Sequence, residues 1–182
     1  SDEWRMRSYF GRVNYAFAGK YFVEGNFRYD GSSRLAPGHH YTFFPSGSLG
    51  WRISEEPFMN FSRKYLDNLK LRVSYGQLGN QSISLYQYAE VITTDPKGYM
   101  FGHQWVPSSY IGKLPNTEIG WEISNIFNIG FDLGFFNSRL SATFDWYNKH
   151  TKDILLDVPV SSVIGIPVSV QNAGKMKNWG WE

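Results

Sequence analysis

Residues 121–135 read WEISNIFNIGFDLGF, and their side chains alternate between two kinds. The odd positions are almost all large and apolar. The even positions are mostly small or polar: Glu122, Ser124, Asn128, Gly130, Asp132 and Gly134. Because successive side chains of a β-strand point to opposite faces, this period of two predicts one strand with an apolar and a polar face. At about 3.3 Å per residue it spans roughly 50 Å, against ~17–20 Å for strands typical of globular proteins.

The same alternation recurs along most of the chain. It predicts strands at 9–17, 21–30, 43–53, 69–78 and 140–147, and the start of a seventh at 175–182. The segment 54–68 breaks the alternation, since its apolar residues recur at helical spacing, and it predicts one or two turns of amphipathic helix. The apolar residues concerned are Phe58, Phe61, Tyr65 and Leu66. The predicted fold class is all-β, an antiparallel up-and-down meander.

The connections between these strands alternate in length. Residues 18–20 and 136–139 form short turns, whereas 31–42, 79–117 and 153–174 form long loops. Outer-membrane β-barrels have short periplasmic turns and longer extracellular loops, so this asymmetry favours a membrane barrel. A soluble β-sandwich with one solvated face remains compatible with the alternation. The loop 79–117 is rich in aromatic residues, which predicts that it folds over something rather than staying disordered.

Composition excludes several classes of protein. The 182 residues include no Cys, so a disulfide scaffold, a thiolate metal site and a cysteine nucleophile are all excluded. A net charge of +2 gives no global basic field for nucleic acid. No run of 18 apolar residues exists, which excludes transmembrane helices. The chain begins SDEWR, without an initiator Met or a signal-peptide core, and we expect it to come from within a longer protein.

No pattern points to catalysis. The string 47–50 (GSLG) is not a nucleophile elbow, no phosphate-binding loop is present, and no carboxylates are paired for acid–base chemistry. His39 and His40 are adjacent, so on an extended segment their side chains point apart, and no third ligand is evident. We therefore expect no catalytic residue, no cofactor and no metal site, and a protein that is not an enzyme.

Longer strings, in a fixed order along the chain, resemble consecutive barrel strands of the SusC/RagA family of TonB-dependent outer-membrane transporters. They are YFGRVNY at 9–15, NFRYDGSSR at 26–34, FFPS at 43–46, GWRISEE at 50–56, LKLRVSYG at 69–76, QLGNQ at 77–81, LPN at 114–116 and WE at 121–122. The resemblance covers nearly the whole chain.

The resemblance implies that residues 1–182 are one partial β-barrel domain, six strands and the start of a seventh from a 22-stranded barrel. The plug and the TonB-contacting segments are expected to be absent. The implied function is import of glycans or peptides across the outer membrane of a Gram-negative bacterium. The implied partners are a SusD-like surface lipoprotein, TonB (through the absent N-terminal segments), outer-membrane lipid and an oligosaccharide or peptide substrate, with no nucleic acid. The alternative is a soluble all-β carbohydrate-binding module.

Two groups of residues are candidates for function. Aromatic residues of the long loop could stack on substrate or on the lid protein, or pack the loop against itself: Tyr86, Tyr88, Tyr99, Trp105 and Tyr110. Polar residues on the even face would line the lumen, where they could contact plug or substrate or pair with one another: Arg12, Glu24, Arg28, Asp30, Arg52, Arg72, Asn128 and Asp132.

Overall fold

The computed structural model, which describes residues 3–62, 65–159, 161, 163 and 165–182, contains nine β-strands in that part of the chain. They are β1 (Met6–Phe17), β2 (Tyr21–Ser32), β3 (Tyr41–Arg52), β4 (Leu66–Asn80), β5 (Val91–Phe101), β6 (Gln104–Lys113), β7 (Glu122–Phe135), β8 (Leu140–Leu156) and β9 (Gln171–Trp181). Seven of them form one sheet in the order β1-β2-β3-β4-β7-β8-β9. Every pairing in it is antiparallel, so the predicted meander is confirmed.

The register of the sheet separates its side chains into two faces. One row crosses five strands through successive partners that are all apolar: Val23, Leu49, Val73, Ile129 and Trp146. We call the side that carries this row the apolar face. The next row, one residue along each strand, is polar at every position: Glu24, Ser48, Ser74, Asn128 and Tyr147. We call that side the polar face.

The apolar face is open where a soluble protein would bury it. Val23 is 46% exposed and Leu49 is 56% exposed. Transfer of such side chains from water to an apolar medium is favourable by about 1.5–3 kcal/mol each when they are fully buried. A sheet that leaves a continuous apolar row uncovered by its own chain therefore has a surface suited to an apolar surrounding.

The two ends of the sheet differ in their connections. At the short-turn end, 18–20 and 136–139 join neighbouring strands directly, with the turn residues Ala18, Gly19 and Asn137 at positive φ. At the long-connection end, the segments 33–40, 81–121 and 157–170 join the strands. We use these two names for the ends below.

The predicted helix over 54–68 is wrong for its described part. The structure has two 3₁₀ turns there, Ile53–Glu55 and Pro57–Met59, and β4 begins at Leu66. Glu56 between the turns is extended, with φ −76° and ψ 145°, because a residue before proline is forced away from the helical region. Phe58, which was predicted to lie on the apolar face of this helix, is 60% exposed. Residues 63 and 64 of the predicted segment lie outside the described residues.

The predicted loops at 79–117 and 153–174 are shorter than expected. The first contains the hairpin of β5 and β6, which form a separate two-stranded sheet among the described strands. The second is narrowed to 157–170 because β8 extends to Leu156 and β9 already begins at Gln171; its residues 160, 162 and 164 are outside the described part. In the described residues, no helix combines the length and the apolar character needed to cross a membrane.

A buried carboxylate ties the short-turn end together. Glu56 is 8% exposed and accepts hydrogen bonds from the Tyr21 hydroxyl at 2.5 Å and from the Trp51 indole N–H at 3.1 Å. The Lys20 ammonium lies 3.4 Å from the same carboxylate. The segment after β3 is thereby anchored to the turn between β1 and β2. These hydrogen bonds from Tyr21 and Trp51, aided by Lys20, hold the pKa of the Glu56 carboxyl below its ordinary value, although burial acts in the opposite direction.

This network makes stability dependent on pH. A carboxyl whose pKa is depressed in the folded state stabilises fully above its unfolded pKa of ~4.3, and the contribution is lost as pH falls through the lower folded value. We expect Glu56→Gln to destabilise the full-length protein in detergent at pH 7, and to reduce its loss of stability on acidification below pH ~4. Thermal unfolding at both pH values is the measurement.

The matched control is Glu90→Gln, at an exposed carboxyl before β5. It should leave both unfolding temperatures unchanged. Equal effects of the two substitutions would contradict an anchoring role for Glu56.

Candidate functional site

All eight predicted polar candidates lie on the polar face of the sheet. The register brings them there from five strands: Arg12, Glu24, Arg28, Asp30, Arg52, Arg72, Asn128 and Asp132. Several of them pair with each other across or along the strands. The Arg12 guanidinium lies 3.7 Å from the Glu24 carboxylate, and the Arg28 guanidinium lies 2.9 Å from the Asp30 carboxylate. The face is therefore a surface of paired charges.

The strongest of these pairings spans three strands. Arg72 on β4 makes a two-pronged contact with Asp132 on β7, through Nε at 2.8 Å and Nη2 at 3.0 Å. The same Nη2 donates to Asp145 on β8 at 3.1 Å. Planar, two-pronged pairing fixes geometry as well as charge, so this triad holds β4, β7 and β8 in register. Asp145 was not among the predicted candidates, although alternation in the strand at 140–147 places it on the polar face with Thr143 and Tyr147.

A glycine makes room for the triad. A Cβ added at Gly130 would lie against Asp145 Oδ1 and 2.9 Å from Arg72 Nη2. Gly130 is the direct cross-strand partner of both residues, so any side chain there would occupy the space of the ion pair.

The long-connection end has its own small hydrophobic core. Six buried residues from the loops and strand ends form it, and we call them the mouth cluster: Leu35, Ala36, Phe44, Ile83, Ile119 and Trp121. Phe44 and Trp121 meet edge to face, with ring centroids 5.4 Å apart. The Trp121 indole N–H donates to the backbone carbonyl of His40 at 3.0 Å, so the first two long connections are joined.

Backbone hydrogen bonds attach the third long connection to the second. The Leu114 N–H donates to the Pro167 carbonyl and the Ser169 N–H donates to the Leu114 carbonyl, both at 2.9 Å. Asn172 donates to the Gly120 carbonyl at 3.0 Å and accepts from the Gly120 N–H at 2.9 Å. The three connections thus form one packed layer at this end of the sheet.

A recess of about 180 Å³ lies beside this layer, with residues of the polar face on its wall. Asp30, 4% exposed, and Gln81 both line it. Asp30 Oδ1 and Gln81 Oε1 are buried oxygen atoms without a hydrogen-bond partner among the described residues. Phe44 and Trp121 add aromatic surface to the same recess. Hydroxyl, amine or amide donors of a ligand would satisfy these two acceptors if the side chains at the wall of the recess moved to expose them.

The aromatic candidates of the long loop are not brought together. Tyr88 packs against the mouth cluster, and Tyr86 stands in a turn at φ 60°. The hairpin carries the other three, each more than half exposed: Tyr99 at 65%, Trp105 at 52% and Tyr110 at 54%. Alternation along β6 puts Trp105 and Tyr110 on opposite faces of the hairpin. The hairpin therefore presents aromatic surface on both sides.

The arrangement defines a class of protein. A meander with an apolar face, a polar face and its long connections packed at one end is a section of the wall of a β-barrel. The family model described as TonB dependent receptor-like, beta-barrel matches residues 1–182. The chain belongs to this family.

Curated relatives and solved structures agree with this assignment. The chain is 36% identical over 178 residues to TonB-dependent receptor P26 of Formosa agariphila, covering 98% of this chain and 18% of the relative. It is 35% identical over 180 residues to TonB-dependent receptor SusC of Bacteroides thetaiotaomicron, covering 96% and 18%. A structure of the RagAB peptide transporter superposes with a TM-score of 0.86 at 31% identity, covering 98% and 19%.

A more distant structure shares the fold alone. The siderophore receptor PirA from Pseudomonas aeruginosa superposes with a TM-score of 0.61 at 16% identity. The chain spans less than a fifth of the length of the two curated relatives. All of these proteins are named as receptors or transporters.

Crowding at Gly130 gives a direct test of the triad. We expect Gly130→Ala to destabilise the full-length protein by about 1–3 kcal/mol, because the new methyl group must displace the Arg72 and Asp145 side chains. Denaturant unfolding in detergent measures the change. Gly25→Ala is the matched control, since a Cβ there meets nothing within 4 Å. Equal stability of the two variants would contradict this expectation, because the Arg72 and Asp145 side chains would then have moved aside at no cost in the free energy of unfolding.

Proposed function

We propose that this chain forms barrel wall and extracellular mouth of an outer-membrane, TonB-dependent importer in a Gram-negative bacterium. The observation that carries the proposal is the division of one sheet into an open apolar face and an ion-paired polar face, with packed long connections at one end. The apolar face contacts outer-membrane lipid, and the polar face lines the lumen. The long-connection end faces the outside of the cell, as is general for outer-membrane barrels.

Aromatic side chains at the sheet ends support this orientation in the membrane. Tyr21 and Trp51 stand at the short-turn end with their polar atoms on Glu56. Tyr29 and Tyr41, with ring centroids 5.2 Å apart, stand on the same face near the long-connection end. Amphipathic rings at both membrane–water interfaces are typical of membrane barrels. A soluble carbohydrate-binding module is not favoured, because it would leave the apolar row in water.

The substrate is an oligosaccharide or a peptide. The resemblance of the sequence to the SusC/RagA family implies both classes, and the RagAB transporter is named for peptides. Both substrates carry many hydrogen-bond donors, which the free oxygens of Asp30 and Gln81 can accept at the recess. The packed mouth supports recognition, because loops that are already ordered lose little conformational entropy on binding.

The partners extend beyond this chain. A SusD-like surface lipoprotein would contact the extracellular end, where the hairpin offers the exposed rings of Tyr99, Trp105 and Tyr110. Aromatic side chains are enriched at protein interfaces because they bury area and retain a polar atom. TonB would act through other segments of the full-length protein.

Arginine placed on each face tests the orientation. Ile129→Arg should cost about 2–4 kcal/mol of stability in the membrane, because its side chain belongs to the apolar row near mid-bilayer. Asn128→Arg, on the polar face beside Ser74, should be far better tolerated. Refolding of the full-length protein into detergent is the measurement. Equal tolerance at the two positions would refute the assignment of faces.

Uptake tests the recess. Asp30→Asn should weaken the apparent affinity of the full-length importer for its substrate about 5- to 30-fold, because a charged acceptor becomes neutral, a loss of ~1–2 kcal/mol. Labelled oligosaccharide and peptide libraries in whole cells provide the readout. Glu24→Gln serves as control and should transport normally: Glu24 lies on the same face and is paired with Arg12 as Asp30 is with Arg28, but it is not among the residues that line the recess. Unchanged affinity in both variants would remove the recess from the substrate path.

A further inference from the structure

Four basic residues form a compact block on the apolar face of β8 and β9. His150 is the direct cross-strand partner of Lys177, and Lys152 is the partner of Lys175. Both pairs are an even number of residues from the Trp146–Trp181 pair, in a register without a bulge as far as Lys152 and Lys175. They therefore share the face of the apolar row. We call these four residues the outer basic block.

The block is electrostatically unbalanced within this chain. Like charges directly opposite each other in a sheet are destabilising, and Lys152 faces Lys175 in this way. The carboxylates of the regular parts of β7 and β8 point to the other face: Glu122, Asp132 and Asp145. Asp153 stands in the bulge beyond Lys152, at φ 57°. No salt bridge joins any of the four basic residues to another described residue.

The level of the block along the strands is the second observation. On the same face, Trp179 is 67% exposed and is the partner of Asn148. The His150–Lys177 pair lies two residues beyond this position toward the long-connection end, and Lys152–Lys175 lies four beyond. At ~3.3 Å per residue these steps are about 7 and 13 Å along the strands. With strands tilted by 35–45°, the two pairs lie about 5 and 10 Å from the level of Trp179, measured along the membrane normal toward the long-connection end. The polar interface on each side of a bilayer is about 5–7 Å thick, so with Trp179 at the hydrocarbon boundary the His150–Lys177 pair lies within the interface and the Lys152–Lys175 pair lies just beyond it.

We propose that the outer basic block binds the phosphate groups of anionic lipid headgroups in the outward-facing leaflet. The site rests on the proposed function for its orientation: apolar face to lipid, long-connection end outward. Lysine binds phosphate as a point charge on a flexible stem. Its apolar stem lies along the hydrocarbon boundary while the ammonium reaches the headgroups. The phosphates supply the negative charge that the described residues of the sheet do not.

The test compares two triple variants of the full-length protein in nanodiscs. Lys152→Gln, Lys175→Gln and Lys177→Gln together neutralise the block. The control removes the same charge elsewhere, through Lys97→Gln, Arg139→Gln and Lys149→Gln; Lys149 is beside His150 but on the polar face. The probe is diphosphorylated lipid A in phosphatidylcholine, and native mass spectrometry counts the lipid A molecules retained by each barrel.

Each basic residue near an anionic surface contributes about fivefold in affinity, so the block variant should bind lipid A roughly 100-fold more weakly than the control. Equal retention by the two variants would overturn the proposal. So would protection from thermal unfolding by inorganic phosphate alone that matches the protection by lipid A, since the site would then be for a free anion. The proposal would likewise be overturned if the barrels associated with one another and the block variant and the control then no longer differed in lipid A retention.

Uptake separates this inference from the proposed function. A block variant that loses lipid A but still fractionates with the outer membrane and imports substrate supports both. A protein that never reaches the outer membrane would refute the proposed function, and with it the orientation on which the lipid site depends.

Discussion

The backbone hydrogen bonds between strands determine the rest of this structure. In hydrocarbon no water can satisfy an N–H or a carbonyl, so each wall strand must pair with its neighbours along its full length. Pairing fixes register, and register decides which side chains share a face. A slip of one residue between β4 and β7 would carry Ile129 to the polar face and separate Arg72 from Asp132. The ion triad and the apolar row therefore depend on one and the same set of backbone contacts.

The fold was largely predictable because its strongest signal is local. Alternation in 121–135 identifies a strand and both of its faces without knowledge of any partner. The same alternation in the other strands grouped the eight polar candidates, and the register places them on one face of the sheet. The hairpin was missed because it is exposed on both sides and so has no one-sided pattern to read. The helix was predicted wrongly because the spacing of Phe58, Phe61 and Tyr65 was weighed above the local effect of Pro57.

The candidate site was only partly predictable because its contacts are distant in sequence. Arg72 meets Asp132 and Asp145 only after β4, β7 and β8 pair, and no short motif connects them. The recess depends on the same kind of convergence, since Asp30 and Gln81 come from different strands and connections. Glu56 accepts hydrogen bonds from Tyr21 and Trp51 because it lies between two 3₁₀ turns, where the sequence predicted a helix. The sequence showed which residues are polar and which of them share a face of a strand, but it did not show which side chains contact each other across strands.

The hairpin inside the longest connection also has a consequence for the order of folding. β4 and β7 are neighbours in the sheet but are separated by residues 81–121, so their pairing must close a long loop. Loop-closure entropy rises with the length of free chain, by about 0.6 kcal/mol for each doubling. An isolated hairpin forms in roughly 1–10 μs, well before a large sheet is assembled. Early pairing of β5 with β6 would shorten the free chain between β4 and β7. The exposed hairpin would therefore lower the entropic barrier to pairing β4 with β7 in the main sheet.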